Sequence, residues 1–133
     1  MESNQLEQLY DNRFRPLNSK FKRIATEWQM KESPSGEPVM NDHTDKEYDV
    51  KVINSLLGLH EKVVKLSEEL IPLYPEAKGY LVRLEDAVKR IKAGDHKYVT
   101  GVTVDSYHTV WYEFHYDLLK KLGREGKLSE DEV

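Results

Sequence analysis

The chain has 133 residues, 24 acids against 20 bases for a formal net charge of -4, and no cysteine. That length supports one domain. The acidic balance excludes a globally basic nucleic-acid binder, and the missing thiols exclude disulfides, thiolate metal sites and a Cys nucleophile.

Apolar periodicity predicts helices nearly throughout. Leu6, Tyr10, Phe14, Leu17, Phe21, Ile24 and Trp28 recur at steps of three or four, which sets them along one helical face. Pro16 interrupts that face, and a kink or a fresh helix start is expected there. Residues 33–43 hold two prolines and a glycine and read as a mobile loop. Thr44 and Glu47 have the spacing of a capping box and mark the next helix start. That helix carries Ile53, Leu56, His60, Val63, Ser67 and Leu70 and should end before Pro72.

Pro75 suits the first turn of a third helix burying Ala77, Leu81, Leu84, Val88 and Ile91. Lys89, Arg90 and Lys92 favour its C-terminal dipole, and Gly94 suits the left-handed residue beyond it. Residues 95–103 read as an extended loop. The last helix should start near Asp105, acting as N-cap, and stop at Gly123. Its expected seam is Val104, His108, Trp111, His115, Leu118 and Leu122.

These elements predict an all-α fold: a four-helix-bundle-like single domain over 1–123, followed by a charged C-terminal tail over 124–133. Well over half the residues should be helical, with no stable sheet. No apolar stretch follows Met1, and the longest uncharged apolar run, 52–59, is far short of the ~20 residues a membrane span needs. No signal peptide and no membrane segment are expected, and the expected setting is the cytoplasm.

Enzyme signatures are absent: no GxGxxG, no GxxxxGK[ST] and no GxSxG. His60-Glu61 begins a zinc-protease pattern, but Val64 stands where the second histidine ligand must be. No cofactor is expected. His60, His108 and His115 fall on expected seams and form a candidate ligand or metal pocket. His108 and His115 are seven residues apart, hence ~10.5 Å along a helix axis, too far to share one zinc.

Residues 12–24 hold Arg13, Arg15, Lys20, Lys22 and Arg23 without an acid, candidate phosphate contacts for a nucleic-acid-associated protein. Against that, 27–49 carry seven acids and two bases, a ready counter-charge. The last helix carries Tyr107, Trp111, Tyr112 and Tyr116 around most of its circumference, more aromatic surface than one buried stripe uses. Tyr and Trp combine large area with a polar tip, so these four are the candidate partner-binding residues. The leading expectation is association as a homodimer or accessory subunit. The alternatives are a metal- or ligand-binding bundle, a sensor or an enzyme, with a His/Tyr-lined core pocket, and a nucleic-acid-associated protein using the basic stretch 13–23.

Overall fold

Apolar residues at three- and four-residue steps fold as helices: in the computed structural model, which describes residues 2–124 and 126, 71% of the described residues are helical. Helix α1 (Glu2–Leu9) passes through a π-helical turn (Tyr10–Phe14) directly into α2 (Arg15–Gln29). The Arg15 N–H bonds the Tyr10 carbonyl five residues back. Pro16 has no N–H for the usual i→i−4 bond, and the wider π turn absorbs it without breaking the helix. The face continues through the turn, so Tyr10 and Phe14 are buried in line with Leu17, Phe21, Ile24 and Trp28.

The loop expected over 33–43 is instead largely a hairpin. Strand β1 (Met30–Glu32) pairs antiparallel with β2 (Pro38–Met40), Met30 opposite Met40. Gly36, at φ 87°, supplies the left-handed residue of the turn, and the Ser33 and Gly36 amides close it. Tyr48 anchors it from outside, its hydroxyl 2.7 Å from the Glu27 carbonyl and 2.9 Å from that of Met30.

Helix α3 (Lys46–Leu70) is capped by Asp45, whose side chain accepts from the Tyr48 amide. The cap lies one residue later than Thr44, because the Thr44 hydroxyl donates to Asp42. Helix α4 (Ala77–Lys92) ends before Gly94, at φ 98°, and leaves Leu81 half-buried. Residues 95–103 are not fully extended, since α5 (Lys97–Thr100) forms one helical turn within them. Helix α6 (Tyr107–Lys121) is capped by Ser106 rather than Asp105, which pairs with Arg83 at 2.7 Å.

Helix α2 packs along α3, α3 along α4, and α4 along α6, with α5 against both α4 and α6. The π turn and α6 meet through rings: Phe14 stacks on Trp111 with centroids 4.7 Å apart and planes within 4°. The buried apolar residues form one cluster drawn from every long helix. Of the expected tail, only Arg124 and Gly126 are described; the rest lies outside the described residues. Arg124 pairs with Asp11 at 2.8 Å. Among the described residues no helix is long and apolar enough to cross a membrane.

Candidate functional site

Helix α6 buries two adjacent lines of side chains, and its core-facing polar atoms all find partners on other helices. The hydroxyl of Tyr107 lies 2.9 Å from His60 Nδ1 on α3. The Trp111 indole N–H donates to Asn18 Oδ1 on α2 at 2.8 Å. His115 Nε2 shares a 2.7 Å hydrogen bond with the Tyr10 hydroxyl in the π turn, and Tyr80 on α4 donates to Asp117. An unpaired polar group costs several kcal/mol in an apolar interior, so each pair fixes the helices' relative register as well as satisfying its own atoms. Burial also disfavours the charged forms: it holds His60 below its ordinary value and pushes the Tyr107 phenol up.

This seam differs from the expected one. Tyr107, Trp111, Phe114 and Leu118 are buried at alternating steps of four and three, whereas His108 is exposed. Burying Tyr107 and Phe114 removes far more apolar surface than burying Val104 and His108 would, so the helix turns the larger rings inward. Two of the four candidate partner-binding residues, Tyr107 and Trp111, therefore belong to the protein's own core. Tyr112 and Tyr116 remain on the surface, 45% and 39% exposed.

The three candidate pocket histidines do not converge. His60 faces Tyr107, His115 faces Tyr10, and His108 lies on the surface beside Phe21, ring centroids 5.8 Å apart. Among the described residues no group of three or more His, Asp or Glu side chains is placed to hold a metal ion.

What does come together is a surface stripe. His108, Tyr112 and Tyr116 are four residues apart and share one exposed face of α6. Along its edge runs a groove of about 210 Å³ between α2 and α6, lined by Phe21, Lys22, Ala25, Gln29, His108 and Tyr112 among others.

The basic stretch divides. Arg13 pairs with Glu69 at 2.6 Å and Arg15 with Asp11 at 3.8 Å. Lys22 lines the α2/α6 groove, while Lys20 lies beside Lys62 of α3.

A further polar constellation, outside those singled out in the sequence, closes the corner between the hairpin and α3. Asn41 is buried and donates to the Trp28 carbonyl and to Asp49 Oδ1, both at 2.9 Å. His43 Nδ1 lies 2.9 Å from Asp49 Oδ2, and its backbone N–H donates to Asn41 Oδ1. His43 is also left-handed, at φ 61°, and its ring sits against Trp28 with centroids 4.5 Å apart. The signal was the run Asn41-Asp42-His43, rich in residues that tolerate the left-handed region. Its partner Asp49 stands in the first turn of α3, six residues beyond His43, and becomes visible only once the corner is formed.

No protein-family model, no curated protein and no solved structure matches this chain.

Proposed function

We propose that α2, α3, α4 and α6 form a four-helix-bundle scaffold whose work is association, with a second copy of the chain seated on the α6 stripe. The carrying observation is that His108, Tyr112 and Tyr116 leave three aromatic rings in line on solvent while the other rings of α6, Tyr107, Trp111, Phe114 and His115, are committed to the core. Such a stripe is self-complementary. In a two-fold contact His108 of one copy meets Tyr116 of the other, and Tyr112 meets its own mate, as an isologous interface requires. The size of the adjoining groove favours this reading over a ligand pocket. Its volume, about 210 Å³, is below the ~300–1,000 Å³ of small-molecule sites and suits one or two inserted side chains.

Light scattering across a concentration series tests the proposal. The native chain should dimerise, and the Tyr112→Ala/Tyr116→Ala variant should remain monomeric with an unchanged helical spectrum. A native chain that stays monomeric at millimolar concentration refutes it.

A further inference from the structure

The groove between α3 and α4 has a buried imidazole in its wall, and one nitrogen of that ring has no partner. His60 is only 9% exposed and lines the groove, which measures about 610 Å³. Its Nδ1 lies 2.9 Å from the Tyr107 hydroxyl in the core. Nε2, on the other edge of the ring, has no hydrogen-bond partner among the described residues. Nor is it sealed in, because among the described residues Ser67 Oγ is the one partnerless side-chain atom of the interior that is cut off from the surface. The free ring nitrogen therefore opens on the groove.

The Tyr107 hydroxyl decides what that nitrogen offers. Among the described residues His60 is its only partner, and Tyr107 is fully buried. A phenol proton without an acceptor is costly in an apolar interior, so the hydroxyl donates to Nδ1. Burial holds the imidazole below its ordinary value, Glu85 opposing and Lys92 reinforcing, and the ring is neutral at pH 7. Its one proton is then on Nε2. His60 presents an N–H donor to the groove, and the complementary ligand atom is an acceptor.

The remaining lining narrows the ligand. Lys65, Lys89 and Lys92 stand on the groove with Glu61, Glu68 and Glu85, three charges of each sign. Among the described residues none of the six is in an ion pair. A polyanion or a polycation meets repulsion there as well as attraction, whereas a ligand with one charge of each sign finds a partner for both. Val64 and the buried Val88 add apolar wall. The volume falls within the ~300–1,000 Å³ of small-molecule sites, unlike that of the groove beside α6.

We infer that the α3/α4 groove binds a small zwitterion with an apolar body, a free amino acid or short peptide, whose carboxylate accepts from His60 Nε2. The lysines complement that carboxylate, the glutamates take the ammonium group, and Val64 and Val88 cover the apolar body. A free amino acid and a short peptide bring the same end groups. The site shares no lining residue with the α2/α6 groove, so it stands or falls independently of the dimer.

The test is titration of the full chain with L-leucyl-L-leucine at pH 7.5, read by backbone amide and imidazole nitrogen NMR, with L-leucine as a second arm. Saturable shifts should concentrate in 60–68 and 85–92, and His60 Nε2 should move with them. Dipeptide amide and N-acetyl dipeptide, each lacking one charge, should both bind more weakly. His60→Leu/Tyr107→Phe replaces the bonded pair with apolar groups and should weaken binding at least about ten-fold, since a hydrogen bond to a charged group is lost. Glu85→Gln/Lys92→Gln changes only exposed side chains, keeps the fold whatever the core pair tolerates, and should also weaken binding. Tighter binding of the dipeptide or of leucine sets the ligand's size, and either upholds the site. It is overturned by no saturable shift at millimolar dipeptide and leucine, by shifts centred outside the groove, by equal affinity for either blocked form, or by full affinity in either folded variant.

Discussion

Tyr10 and His115, 105 residues apart in the chain, share a 2.7 Å hydrogen bond in the core with neither side chain exposed. The π turn carries Tyr10 to that position, and α6 carries His115. The bond therefore reports on whether the first and last helical runs have docked. Tyr10→Phe keeps the ring stacked on Phe14, centroids 5.5 Å apart, and removes only the hydroxyl. It should cost about 1–3 kcal/mol in urea denaturation. The Tyr10→Phe/His115→Leu double variant should lose less than the sum of the single changes, because partners in contact couple. Additive losses would contradict direct coupling.

His60 makes stability depend on pH through burial. Desolvation, opposed by Glu85, holds its folded value below the ordinary 6.5. As pH falls below 6.5 the unfolded chain binds a proton that the folded chain refuses. The contribution is thus complete above 6.5 and is lost as pH falls toward the folded value, with a slope of at most about 1.4 kcal/mol per pH unit. Asp11 and Asp105 act in a lower window: Arg124 and Arg83 hold their carboxyls below 3.8, so that stability is lost only as pH drops past 3.8. Urea midpoints between pH 7.5 and 4.5 should decline in the native chain and decline less in His60→Gln. Equal slopes would exclude His60 as the source.

Gly58 lies inside α3 on an exposed face, where an added Cβ would meet nothing within 4 Å. Gly58→Ala should stabilise by about 0.5–1 kcal/mol, since glycine gives up more backbone freedom on folding. Gly101 is the contrasting case, because its Cβ would collide with the Lys97 carbonyl oxygen, a backbone atom. Gly101→Ala should lower the melting temperature while Gly58→Ala raises it.

At His43 two effects oppose each other: contact with Asp49 stabilises, and the left-handed backbone at φ 61° costs about 1–2 kcal/mol for a residue with a Cβ. His43→Ala loses the contact and keeps the backbone cost, whereas His43→Gly loses both. The glycine variant should therefore be more stable than the alanine variant by about 1 kcal/mol. The reverse order would mean that glycine's extra freedom in the unfolded chain outweighs the strain.

The long helices were legible in the order of residues because their causes are local. A face repeating every three or four residues, a proline that cannot donate and a glycine that can turn left-handed each act within a few positions. That is why the Leu6–Trp28 line, the stop before Pro72 and the ends at Gly94 and Gly123 could be read directly. Which face of α6 turns inward was not legible. The stripe through His108 and the stripe through Tyr107 and Phe114 both have helical spacing, and only the packing of Phe14 and Tyr80 against α6 decides between them. The same holds for the histidines, whose partners Tyr107 and Tyr10 lie 47 and 105 residues away. It holds also for the basic stretch, where docking of α3 pairs Arg13 with Glu69, 56 residues away. Periodicity ranks positions around one helix by how much apolar surface they carry. The choice among nearly equal faces, and the pairing of charges across helices, depends on which surfaces bury each other when all the helices pack at once.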